Sequence, residues 1–277
     1  ILQEQEKHQR QQSMSTPSTR PATSLVHLVN ANGDTPLHVA KSIGVVETLM
    51  IRGGANIEAV NEDGETPLHV QCNHEKADQF RTPERMDMVN RLLEMGANLY
   101  AVNRHGHQPL HVACAWSESS IDVVKILLVR GVPVETPVQR TDGTTGWTPL
   151  HMACTAGNLP LTQYLVQEWQ ANIHTRDEHD GNTALHWAAM YKTYEDSLNV
   201  QVSIVQWLLQ QGADTTAVNR HGETPLGLAA RNAWLEVIFD IVLHQVQTLG
   251  TVVVVVDPPQ NTSTALSNKK RRRPSSA

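Results

Sequence analysis

A chain of 277 residues with a net charge of −6 and only 4% aromatic residues is poor in the large rings that usually fill one central core, and its length is compatible with stacked small units. No apolar run approaches the roughly 18 residues needed to cross a bilayer, and no secretory leader pattern is visible, so an intracellular chain without a membrane span is expected. Between Leu25 and Val256, 14 Lys and Arg stand against 25 Asp and Glu, whereas Asp257–Ala277 holds five basic residues and one acid. The acidic body argues against direct nucleic-acid binding and favours a protein partner with a basic surface.

Residues 1–24 are rich in Gln, Ser, Thr and Pro without apolar periodicity and read as disordered. Leu25–Val29 is apolar and too short for a full unit, which makes it an N-terminal cap. From Gly33 one nine-residue motif recurs: GDTPLHVAK, then GETPLHVQC from Gly64, GHQPLHVAC from Gly106, GWTPLHMAC from Gly146, GNTALHWAA from Gly181 and GETPLGLAA from Gly222. Its grammar is physical: Gly permits a tight turn, Thr caps a helix, and Pro occupies the first helical turn, where no backbone donor is needed. A short apolar helix must follow. A second apolar segment ending in a turn comes next, as in MVNRLLEMGAN and IVQWLLQQGAD, so the unit is turn, helix, helix, turn.

Units opening on Thr-Pro-Leu-His and repeating every 31 to 42 residues resemble the ankyrin-repeat family over Asn32–Gln247. The resemblance implies an all-α solenoid of six helix-turn-helix repeats with short β-hairpin fingers, occupying 25–247 with its cap, and a role in binding proteins without catalysis. Repeat 2 is nine residues longer than the family's usual unit, the extra residues all within Asn73–Asp87; repeat 5 is eight longer, within Tyr191–Gln201; and the finger Thr136–Trp147 is also extended. Insertions of this kind gather on accessible edges and cost little loop entropy. In the last unit Gly227 replaces the motif His, and the second helix, Trp234–Val246, is apolar on nearly every side. A terminal repeat should show water a polar face, so residues 248–256, with their Thr251–Val256 valine run, are expected to cover it. Residues 257–277 form a basic tail expected to be disordered, ending in Lys269, Lys270, Arg271, Arg272 and Arg273. The run resembles a nuclear-import signal, and Ser275 beside it resembles a kinase site.

Cys72, Cys114 and Cys154 occupy one repeat position, three residues after the motif His, where the family places a small buried side chain. One repeat spacing, about 10 Å, separates them, beyond the roughly 7 Å of disulfide reach. The same spacing separates His38, His69, His111, His151 and His186, so a zinc site cannot be assembled from neighbours, and hydrogen bonds to backbone explain the column better. No phosphate loop, nucleophile elbow or metalloprotease helix occurs, and neither catalysis nor a cofactor or metal is expected.

In the family the first helix of each repeat lines the concave face and exposes the residues one, four and five places after the motif His. By resemblance these positions supply His74, Trp116, Met152, Trp187, Met190, Tyr191 and Arg231, and Trp147 sits on the extended finger. Trp116, Trp187 and Tyr191 would anchor a partner along repeats 3 to 5. The alternative for Trp116 and Trp187 is packing beneath the long loops. Two rival roles stay open: a regulatory or targeting segment of a larger enzyme, which the first residue, Ile1 and not Met, keeps live, and a nuclear regulator that sequesters a transcription factor. A monomeric array is expected.

Overall fold

The computed structural model describes residues 22–73, 82–116, 121–139, 146–190 and 198–249. After a 3-10 turn, Ala22–His27, come α1 (Ile43–Glu47), α2 (Pro67–Cys72), α3 (Thr82–Glu94), α4 (Pro109–Cys114), α5 (Ile121–Val129), α6 (Pro149–Thr155), α7 (Leu159–Gln167), α8 (Ala184–Met190), α9 (Leu198–Gln210), α10 (Pro225–Arg231) and α11 (Leu235–Leu249). The first helices α2, α4, α6, α8 and α10 stack on one another, and so do the second helices α1, α3, α5, α7, α9 and α11, while the two helices of each repeat also pack together. The core is the seam between these rows: Leu68, Leu110, Leu150, Leu185 and Leu226 from the motif interleave with Leu92, Leu127, Leu165, Leu208 and Ile241 from the second row. Burial is thus divided evenly along the chain, and each repeat depends on its neighbours.

The helix starts follow from the motif. In α2 and α6 the Thr66 and Thr148 hydroxyls accept from the backbone N–H of His69 and His151, with Pro67 and Pro149 in the first turn. Three of the fingers are tight hairpins: the Asn61, Asn103 and Asn219 amide oxygens each accept from the backbone N–H groups two and four residues on, folding the tip by Asx-turn chemistry. Gly64 sits at φ +74° with the Arg104 backbone nitrogen 2.9 Å from where a Cβ would be, so both the turn and the next finger demand glycine there. Successive fingers are joined by Glu62 N–H to the Asn32 carbonyl (3.0 Å), Arg104 to Asp63 (2.9 Å), Gln139 to Gly106 (2.9 Å) and Arg220 to Asp180 (2.7 Å).

Repeat 1 departs from the helix-turn-helix expectation. After its motif Thr35 the chain makes one tight turn, with His38 N–H on the Thr35 carbonyl at 3.0 Å, instead of a first helix. Its second segment is the five-residue α1 followed by a wide π turn, Thr48–Arg52. This unit is two residues short of its family length, and its Val39, one residue after the motif His, is exposed where its counterparts in later repeats are buried. The 3-10 turn offers it one contact: Val26 is buried, and its Cγ1 lies 2.6 Å from where a Cβ on Gly53 would sit.

Candidate functional site

The motif histidines are structural couplers. In all five, Nδ1 accepts the backbone N–H of the residue three before it, at 3.1–3.2 Å, which places the ring proton on Nε2. Nε2 then donates to a carbonyl of the next finger: Glu65, His107, Thr136, Thr175 and Glu223, at 2.8–3.2 Å. Burial lowers the pKa of every one of them, to about 4 at His111 and His151. Cys72, Cys114 and Cys154 are free and fully buried, and burial raises their thiol pKa values, to about 12 for Cys72 and Cys154. Among the described residues no group of His, Cys, Asp and Glu side chains could hold a metal ion, and no helix is long and apolar enough to cross a membrane.

The surface expected to face a partner is rearranged. The column one residue after the motif His is inside: Val70, Val112, Met152, Trp187 and Leu228 are all buried. Trp187 is 2% exposed because its Nε1 donates to the Asp177 carboxylate at 3.1 Å and Trp147, from the preceding finger, packs edge-on against it with ring centroids 4.6 Å apart. Trp187 and Met152 are therefore packing residues, which corrects their assignment as contacts. Trp147 is half-buried as Trp187's partner. His74 and Tyr191 lie outside the described residues, as do Lys269–Arg273, Ser275 and the valine run.

What the first helices do present is the row at their C-terminal ends: Ala115 and Trp116, Thr155 and Ala156, and Met190, all half-buried, then exposed Arg231 and half-buried Asn232. Arg231 is held upright by an ion pair with Glu223. Side chains of neighbouring elements set the backbone of this row. Asn158 Nδ2 donates to the Trp116 carbonyl (3.1 Å), Asn232 Nδ2 to that of Met190 (2.7 Å), and Gln201 Nε2 to those of Cys154 and Thr155 (3.1 and 3.2 Å). In repeat 2 the buried Arg85 reaches back from α3 to the carbonyls of Gln71 (2.8 Å) and Cys72 (2.7 Å). These carbonyls lie at or just past the ends of short helices, where the helix itself supplies few donors. The amides were missed in the sequence reading; the signal was an Asn, Gln or Arg near the start of the second helices.

A family model described as ankyrin repeats (3 copies) matches residues 42–138 and 122–200. The chain belongs to the ankyrin-repeat family. Human ankyrin repeat domain-containing protein 53 is 33% identical over 91 residues, which are 33% of this chain and 16% of that protein. The I-Kappa-B like protein C2 of Microplitis demolitor bracovirus is 36% identical over 70 residues, 25% of this chain and 34% of that one. Bovine NF-kappa-B inhibitor zeta is 30% identical over 115 residues, 40% of this chain and 15% of the relative. The chain thus spans about a third or less of the length of these curated relatives. Among solved structures, the ankyrin repeat domain of Bcl-3, a member of the IkappaB protein family, superposes with a TM-score of 0.56 at 27% identity, covering 78% of this chain and 85% of that one. The array accordingly has a protein-interaction fold.

Proposed function

We propose that this ankyrin array is a non-catalytic scaffold or adaptor whose protein partner lies across the C-terminal ends of its first helices, from Trp116 through Met190 to Arg231. The observation that carries the reading is that row itself, because Trp116, Met190 and Arg231 are the large side chains it presents, on a backbone fixed by Asn158, Gln201 and Asn232. A rigid platform with one aromatic, one thioether and one guanidinium has the composition that interface centres favour. His74 and Tyr191, in the loops between helices, would flank it. The excess of acids over bases between Leu25 and Val256 selects a basic partner and makes association salt-sensitive.

The experiment is affinity capture on the intact chain, comparing the parent with Trp116→Ala and Met190→Ala. An anchor at an interface centre is worth about 2 kcal/mol, so each change should weaken capture at least about tenfold with melting unaltered. Retained capture with lowered melting would move the site to the fingers around Thr136–Trp147.

The IkappaB-related proteins among the relatives and solved structures favour a second, narrower reading: an NF-kappa-B-like transcription factor as the partner, held in the cytoplasm or nucleus. The Lys269–Arg273 run would then direct nuclear entry, and phosphate at Ser275 would oppose it by placing negative charge beside five cations. A reporter fused to residues 261–277 that stays cytosolic would remove the import arm. Binding of a purified NF-kappa-B-like factor decides the rest. The regulatory-segment reading would be carried by a catalytic domain encoded upstream in the same reading frame.

A further inference from the structure

The second helices share an outward place that is polar in each repeat from α3 to α9. Counted two residues past a buried core residue of each helix (Met88 in α3, Val123 in α5, Leu161 in α7, Ile204 in α9), it holds Asn90, Lys125, Gln163 and Gln206. In α11, two residues past the buried Val237, it holds Phe239, which is 65% exposed. One turn earlier Met86, Ile121, Leu159 and Val202 are half-buried, whereas Leu235 is 72% exposed. One turn later the row continues with Leu243, also exposed. Leu235, Phe239 and Leu243 thus form an i, i+4, i+8 ridge about 12 Å long. Beside it, α9 and α11 leave a groove of about 420 Å³, apolar at Val202, Leu235 and Phe239 and polar at Gln206, Glu236 and Asp240. A second hollow of about 190 Å³ shares Gln206 and Asp240 and carries the groove on to Leu243.

We infer that this groove takes an amphipathic helix of a partner protein, with an apolar stripe at i, i+4 and i+8 and Lys or Arg along the borders of that stripe. Charge selects the cations. Glu236 and Asp240 line the groove, Asp240 holds only the neutral amide of Gln206 (3.1 Å) as its hydrogen-bond donor from α9, and neither α9 nor α11 contains a Lys or Arg. The same two acids weigh against other occupants. A second copy of α11 laid on this face would set acid against acid, an anionic lipid surface would be repelled, and the chain's own residues 248–256 carry no cation to answer them. Packing selects the helix. From α3 to α9 each second helix lies against the next one, and a further helix would continue that row, its i±4 ridge set beside the Leu235–Phe239–Leu243 ridge. An extended peptide would find no sheet edge on these helices and would leave backbone donors against apolar side chains. The groove belongs to the second-helix row and not to the Trp116–Arg231 row of the first helices, so the inference does not rest on the function proposed above.

The probe is a fluorescent three-turn peptide, held helical by a side-chain lactam, with Leu at i, i+4 and i+8, Lys on both borders of that stripe and Ala elsewhere. It is titrated with the full-length chain and followed by anisotropy. The parent should bind it, and Phe239→Gln, which places the α9 residue type at an exposed site, should weaken binding at least about tenfold. Trp116→Ala should leave the affinity unchanged, which keeps this groove distinct from the first-helix row. Exchanging the peptide's Lys for Glu should abolish binding. No binding by the full-length chain, whether residues 248–256 or nothing fills the groove, overturns the inference. Equal affinity for the parent and Phe239→Gln, or for the Lys and Glu peptides, does so too. Concentration-dependent dimers of the parent that Phe239→Gln disperses would assign the groove to a second copy. Flotation with vesicles of phosphatidylcholine and phosphatidylserine, lost in the same variant, would assign it to a membrane, and either result overturns the inference.

Discussion

Trp187 donates its indole N–H to Asp177 across 3.1 Å, with both residues buried, at the place where a partner-facing aromatic is expected. The same carboxylate also accepts the backbone N–H groups of His179, Asp180 and Asn182 and so folds the finger that precedes α8. One side chain therefore organises a hairpin and seats the indole beneath it.

Replacing that indole separates packing from recognition. Trp187→Phe keeps the ring against Trp147 but leaves one Asp177 oxygen short of a donor, at about 1–3 kcal/mol. Trp187→Ala adds a cavity and should destabilise by about 3–5 kcal/mol. Urea unfolding measures both. Midpoints unchanged from the parent would return Trp187 to the surface.

Acid should loosen the array through its histidine couplers. Burial lowers the pKa of His111 and His151 from 6.5 to about 4, so between those values the unfolded chain binds protons that the folded chain refuses. The stability these neutral rings contribute is complete above pH 6.5 and is lost as pH falls toward 4. Melting temperature should drop between pH 7 and pH 5, and His151→Gln should flatten the slope. A melting temperature constant over that interval would contradict the assignment.

The thiols should be silent until the array opens. Burial holds the Cys72 and Cys154 thiols protonated, with pKa values raised to about 12, and shields them from reagents. An aromatic disulfide reagent at pH 8 should label none of the three cysteines in the native chain and all three in urea. Rapid stoichiometric labelling of the folded chain would show that the stack breathes at these positions.

Arg85 should matter more than a surface arginine. Its guanidinium is buried and bonded to the Gln71 and Cys72 carbonyls. Arg85→Met keeps the stem but strands both acceptors, with an expected loss of about 2–3 kcal/mol. Calorimetry would register it as a lower melting temperature, and a change within error would mean that water replaces the bonds.

What could be read in advance followed from local rules. Thr66, Pro67 and His69 start α2 by interactions that span three residues, and the same letters predict the other copies. The role of Trp187 depends on Trp147, forty residues earlier, and on an Asp standing where other fingers carry Asn; no pattern within one motif contains that information. The missing first helix of repeat 1 is a related case. Its letters match the motif, but Val39 is left exposed where Val70, Val112, Met152, Trp187 and Leu228 are buried, and in a solenoid nearest-neighbour contacts outweigh propensity.

The side chains that end the first helices also settle where this protein can change. Arg85, Asn158 and Asn232 tie down Cys72, Trp116 and Met190, the last helical or near-helical residues before the stretches 74–81, 117–120 and 191–197. Because a residue just before each stretch is fastened to the stack by a side chain from a neighbouring element, the helix that ends there does not depend on the stretch for its last carbonyl. A lineage can thus swap these segments as interchangeable cassettes and acquire a new target while inheriting the same frame.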